Sequence, residues 1–147
     1  MGEKPDTAMM KNWNTEIEAE FHANDGKVGG PFEGATLVLL TTTGAKSGQQ
    51  RLSPLAYLTV DGKNFVIGSY GGADVDPAWV HNLRANPAAH AEFGTATGIE
   101  EYDVVARELP SDERDVVFPQ IVAQAPGFGE YQANTTRVIP VFELVRA

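Results

Sequence analysis

No cysteine occurs in this chain of 147 residues. That removes a disulfide framework, a thiolate zinc site and a thiol nucleophile together. Basic residues are scarce too: 11 Lys and Arg stand against 20 Asp and Glu, for a formal net charge of −9. Such a balance excludes nucleic-acid backbone binding over the whole surface and disfavours adhesion to anionic lipid. A local basic pocket remains open, because potential is set by nearby charges. Apolar runs last only a few residues, far short of an integral membrane segment. The start, "MGEKPDTAMMKNW", lacks the apolar stretch of a secretory signal, and Asp6 breaks the myristoylation pattern. His22, His81 and His90 lack the i+3 or i+4 spacing of a metal set, and no Gly-x-Ser-x-Gly elbow is present. These absences leave a cytoplasmic protein as the default, with no metal set and no nucleic acid.

What is present fits one domain, since a chain of this length buries roughly 70% of its unfolded surface. The N-terminal segment reads as an amphipathic helix, capped by Asp6 or Thr7, with Met10, Trp13, Ile17 and Phe21 on one stripe. Lys11, Glu16, Glu18 and Glu20 occupy its other face. "ANDGKVGGPFEG" then breaks regular structure. From Ala35 the signals turn to β: "ATLVLLTTT" and "LSPLAYLTV" are apolar, β-branched or alternating, and Asp61-Gly62 is a hairpin turn before "NFVIGSY". A short helix follows over residues 77–86, with Asp76 as N-cap, Pro77 in the first position and Asn86-Pro87 as stop. Two strands, near 88–93 and 97–109, lead to a helix opening at Ser111, where Pro119 predicts a kink or two short pieces. A loop carrying Phe128 and Tyr131 precedes a last strand, "RVIPVFELV". About six strands joined mostly by short turns predict an antiparallel, barrel-like sheet with peripheral helices.

One stretch stands out in this acidic chain. Between Gly34 and Val60 the only charged residues are Lys46 and Arg51, in and beside the turn "TTTGAKSGQQR". Gly44 and Gly48 permit left-handed backbone, so amides of the loop can gather around an anion. Lys46 adds a positive charge, Ser47 a hydroxyl, and Arg51 a bidentate fork. The pattern suits a phosphate or a carboxylate, or it is a solvated hairpin turn. It is not a Walker A loop, because Ala45 separates Gly44 from Lys46 and the continuation reads as strand. "GSYGGADVDPAWVHNL" places small residues around Tyr70 at the mouth of the short helix, where a flat ring can approach closely. Trp13 and Trp79 read as core residues.

"LLTTTGAKSGQQRLSPLAYL", "GSYGGADVDPAWVHNLRANP" and "YQANTTRVIPVFEL" together resemble three ordered blocks of the deazaflavin-dependent nitroreductase family, actinobacterial proteins that use reduced coenzyme F420. The resemblance runs from about Ala35 to Leu144 and implies a mainly β fold, a split β-barrel related to the flavin-mononucleotide-binding barrels. It divides the chain into a variable N-terminal helix and linker, 1–34, and a cofactor-binding barrel, 35–147. It implies that Lys46, Ser47, Gly48 and Arg51 hold the phosphate and glutamate tail of the deazaflavin. Pro54, Leu55 and Tyr57 match the strand beside its ring system, and Gly68, Ser69, Gly71 and Gly72 the loop against the ring. Ala78, Trp79 and Asn82 match the helix that closes that side, and Tyr131 a position near the substrate. Many members carry lysine where this chain has Tyr70, so one expected cofactor charge is missing: either affinity is lower, or Tyr70 stacks or hydrogen-bonds in the cofactor site instead.

The activity so implied is an oxidoreductase in which reduced deazaflavin supplies a hydride to an electron-poor acceptor, a nitroaromatic or a quinone. Tyr131 is the candidate catalytic residue, as a tyrosine phenol is protonated at neutral pH and can donate. The rival enzyme is a flavin mononucleotide (FMN) reductase on the same barrel. Further rivals are a non-catalytic F420 carrier and an apolar-ligand binder whose basic loop is only a turn. The resemblance also admits a homodimer through sheet faces.

Overall fold

The structure is a computed structural model, described over residues 7–29 and 36–147, with side chains described from Asn14 onward. The expected cap at Asp6 and the side chains of Met10, Lys11 and Trp13 lie outside the described residues. Six strands form a closed barrel: β1 (Leu37–Thr43), β2 (Gln50–Val60), β3 (Lys63–Ile67), β4 (Ala88–Thr95), β5 (Gly98–Glu108) and β6 (Val141–Arg146). Every neighbouring pair is antiparallel, in the order β1-β2-β3-β6-β5-β4, and β1 pairing with β4 closes the ring. The mainly β, barrel-like architecture expected from the sequence is therefore the one observed. Asp61 and Gly62 both take positive φ (52° and 76°), the two-residue turn that an Asp-Gly pair favours.

Alternation within the strands sorts side chains into three apolar layers. Val38, Leu40, Tyr57, Val66, Phe93, Val104, Phe142 and Leu144 fill the barrel, joined by Trp79, Val80 and Leu83 of helix α2 (Ala78–Ala85). Leu37 and Leu39 face outward and bury Ile17 and Phe21 of helix α1 (Thr7–Ala23). Val60, Phe65, Ile67 and Val141 form a second outer layer with Ile121 of helix α3 (Ser111–Gln124).

Four local expectations are corrected. Asp76 is not the cap of α2: Pro77 holds that position without a side-chain cap bond, and the Asp76 carboxylate accepts from Arg84 and Arg137 instead. The opening of α3 at Ser111, after Pro110, is as the sequence indicates. That helix runs unbroken through Pro119; Asp115 and Pro119 are both exposed, so water can serve the carbonyl that proline leaves unbonded. The segment with Phe128 and Tyr131 is a short helix, α4 (Gly127–Ala133), rather than a loop, and β6 starts only after Pro140. The Pro140 carbonyl still accepts from the Gly68 amide at 2.9 Å, so residues 137–140 lead into the sheet without joining its ladder.

Candidate active site

The β1–β2 hairpin carries the basic loop at one end of α2. Register places Arg51 opposite Thr42 and Gln50 opposite Thr43. The loop is closed by Gly44 N–H donating to Gln49 O (2.8 Å) and Gly48 N–H to Gly44 O (3.0 Å). Gly48, at φ 70°, supplies the reversal. Ser47 Oγ accepts the Gln49 amide at 3.2 Å. The tie to the rest of the molecule is Asn82 of α2. Its Oδ1 accepts the Ala45 amide at 2.9 Å and its Nδ2 donates to Thr42 Oγ1 at 3.2 Å. Asn82 and Thr42 are both buried. Four loop amides are thus spent inside the protein, which narrows the expected anion cradle. Among the described residues, those of Lys46 and Ser47 make no bond to the protein. The Lys46 and Arg51 side chains are exposed and have no carboxylate partner among the described residues, whereas Arg84, Arg107 and Arg137 are each ion-paired. Two unpaired cations beside two free amides fit a polyanionic tail.

The opposite end of α2 receives the glycine-rich segment. Gly68 leaves β3 with no room for a side chain: a Cβ there would lie 2.7 Å from Val80 Cγ2 and 2.9 Å from Pro140 Cγ. Its absence therefore serves packing as much as ligand approach. Tyr70, Gly71 and Gly72 then take positive φ in succession (48°, 65° and 83°), forming a 3-10 turn. Gly72 N–H donates to Ser69 O and Ala73 N–H to Tyr70 O. A Cβ on Gly71 would meet nothing, but one on Gly72 would lie 3.3 Å from the carbonyl oxygen of Tyr131. The fold thus sets Tyr131, which is exposed, directly over this turn.

The remaining sequence candidates divide between surface and core. Pro54 and Leu55 are half-buried in β2, and Ala78 is exposed on α2. Tyr57 and Trp79 point inward. The Tyr57 hydroxyl donates to Gly94 O at 2.7 Å, its ring packs edge-on against Phe93, and burial, aided by Glu100, raises its pKa. Trp79 packs edge-on against Phe142. These two support the site from behind. Ser69 is buried, and its carbonyl accepts from Arg137. The structure thus brings together the basic loop, Asn82 and Ala78, then the Tyr70 turn and Tyr131, along one helix. Eight residues at about 1.5 Å each separate its ends by about 12 Å.

The family model for F420H(2)-dependent quinone reductases matches residues 13–145. The chain belongs to that family. An F420H(2)-dependent quinone reductase of Mycobacterium tuberculosis is 34% identical over 133 residues, covering 88% of this chain and 87% of the relative. Among solved structures, an F420-H2 dependent reductase, FDR-A, is 39% identical with a TM-score of 0.61, covering 74% of this chain and 92% of its own. A domain-swapped dimer is 33% identical at a TM-score of 0.64, covering 91% and 98%. Likeness to HutZ of Vibrio cholerae, 18% identical at 0.56 over 90% and 89% of the two chains, shows the fold alone. The quinone reductase family uses the split barrel that the three sequence blocks implied.

Arg137 is the residue that sequence reasoning missed. Its guanidinium donates to Ala73 O, Ser69 O and Asp76 Oδ1 at 2.7, 2.8 and 2.7 Å. A signal was available: Arg137 is the only charged residue between Glu130 and Glu143, the same kind of isolation that marks Lys46 and Arg51.

Proposed function

We propose that this chain reduces quinones with coenzyme F420, its tail on the Lys46 loop, its ring against the Tyr70 turn, and the quinone beside Tyr131. Family membership makes the chain an F420H2-dependent oxidoreductase. The observation that carries the placement is the pair of unpaired cations, Lys46 and Arg51, beside free amides on a loop pinned to α2 by Asn82. A flat ring joined to a polyanionic tail has the shape of this surface, one end lined by small residues and the other basic. Bound there, the reduced deazaflavin supplies a hydride, and a hydride with a proton converts a quinone to its quinol. Gly71 leaves open space for a planar group, and the Tyr131 hydroxyl can donate to an oxygen that gains negative charge. Tyr57 and Trp79 hold the barrel behind the site dry.

In this reading residues 35–147 are the cofactor-binding unit and the enzyme works in the cytoplasm. Among the described residues, no helix is long and apolar enough to cross a membrane. The domain-swapped relative supports a homodimer.

Titration with F420 and, separately, with FMN, followed by cofactor fluorescence, tests the reading. Selective F420 binding is expected, weakened about five- to ten-fold by Lys46→Ala or Arg51→Ala, as for loss of one charge-assisted contact. Equal or better FMN binding, or no effect of either substitution, would overturn the placement. Turnover of a quinone by the loaded protein separates a reductase from a carrier.

A further inference from the structure

Tyr70 is a non-glycine residue at φ 48°, followed by two further left-handed residues, and such backbone persists only where its surroundings hold it. Besides the turn's own backbone bonds and the Tyr131 backbone packed on Gly72, one side chain brackets it. Arg137 reaches three acceptors that bracket the turn: Ser69 O before it, Ala73 O after it, and the Asp76 carboxylate beyond. Its side chain is 15% exposed, so these bonds are well shielded from water. Asp76 is in turn held by Arg84, which grips Glu108 of β5 through two bonds of 2.9 and 2.8 Å. The clamp is therefore anchored to the barrel wall.

The backbone of the same residue is bonded to the other half of the proposed site. Gln132, next to Tyr131 in α4, donates through Nε2 to the Arg137 carbonyl at 2.8 Å. Gln132 Oε1 accepts from Ile139 N–H and from Arg114 Nη2. One residue thus grips the Tyr70 turn through its side chain and the Tyr131 helix through its carbonyl. The Gly72 contact with the Tyr131 backbone completes the loop of contacts.

We propose that Arg137 is a positioning residue that sets the Tyr70–Gly72 turn against the Tyr131 helix and so fixes the relative placement of the two segments where the acceptor is reduced. Its guanidinium is spent on Ser69 O, Ala73 O and Asp76 and would act through the turn. The inference rests on the site assignment proposed above, but its structural half can be tested without any cofactor.

Hydrogen exchange on the wild-type protein, Arg137→Gln and Arg137→Lys gives the first readout. Both variants should speed exchange of the Gly72 and Ala73 amides by about ten-fold or more, because neither glutamine nor lysine reaches three acceptors. Asp76→Asn, which keeps both carbonyl bonds, should have a smaller effect. In the second readout, kcat for a quinone should fall roughly ten- to hundred-fold, as for displacement of a reacting surface. F420 affinity should fall by a smaller factor than kcat, since the tail is held at the far end of α2 and only the ring meets the loosened turn. Unchanged exchange at Gly72 and Ala73 would overturn the clamp. Parallel losses of affinity, kcat and thermal stability would show a residue that only supports the fold, and would also overturn it. Failure of the wild-type protein to bind F420 would remove the assignment beneath the proposal, and the positioning role with it. Wild-type binding with unaltered kcat in both variants would refute the positioning role alone.

Discussion

Replacing Asn82 by leucine separates the two tasks that the site assignment gives this side chain. Leucine matches asparagine in size and deletes both hydrogen bonds, to Ala45 N–H and to Thr42 Oγ1. The Ala45 amide lies on an exposed turn and can turn to water, so its loss costs about 0.5–1.5 kcal/mol. Thr42 is fully buried and cannot, so its orphaned hydroxyl costs about 1–3 kcal/mol. The new apolar side chain offsets roughly 1 kcal/mol of this by its own burial. A net loss of about 2 kcal/mol should lower Tm by about 4–8 °C for a chain of this size.

Adding Thr42→Val removes the orphaned hydroxyl, since apolar replacement of both partners is nearly neutral. Thermal unfolding by circular dichroism should therefore find the double variant within about 1 kcal/mol of wild type. F420 affinity should not recover. In both variants the 44–49 loop has lost its tie to α2 and must be ordered on binding, which should weaken the complex about five- to ten-fold. A double variant that regains affinity along with Tm would mean Asn82 serves only the fold. A single variant with unchanged Tm would mean its two hydrogen bonds contribute nothing, and the reasoning fails at its first step.

The strands were legible because β-branched alternation reports a half-buried pleated surface directly, and Asp61-Gly62 names its own turn. The basic loop was legible because two cations stand alone in an uncharged stretch. What escaped was set by partners distant in the chain. Asp76 has the chemistry of a helix cap, yet Arg137, 61 residues later, outcompetes the local amides for its carboxylate. "GFGEYQA" has the glycine content of a loop, and it is helical where Gln132 is fixed by Arg114, Ile139 and the Arg137 carbonyl. The loop amides looked free because the group that takes one of them, Asn82, arrives from another element. In each case a side chain was assigned to its neighbours in sequence, and the barrel gave it to a neighbour in space.

Further outcomes follow from single groups. Gly68→Ala would drive a methyl group into Val80 and Pro140, and denaturant unfolding should show a loss of about 1–3 kcal/mol; an unchanged midpoint would contradict the packing. Tyr131→Phe should lower quinone kcat about ten- to hundred-fold while leaving F420 affinity intact, and full activity would remove its donor role. His90 lies on the outer face of β4, bonded through Nδ1 to Asp103 at 2.8 Å and through Nε2 to Glu101 at 2.5 Å. Glu92 shares that face and is held by His22 of α1. The bond to Asp103, followed by that to Glu101, raises the His90 pKa above its ordinary value near 6.5. Protonation is therefore favoured in the folded state. The resulting stability is fully present below that ordinary value and is lost as pH climbs through the raised folded value. The imidazole is 40% exposed, so screening limits the contribution to about 0.2–1 kcal/mol. His90→Gln should cost that much at pH 6 and almost nothing at pH 9, with the pH 6 effect shrinking in high salt. An equal cost at both pH values would show that His90 acts through packing, and that its bridge between two strands carries no charge-dependent stability.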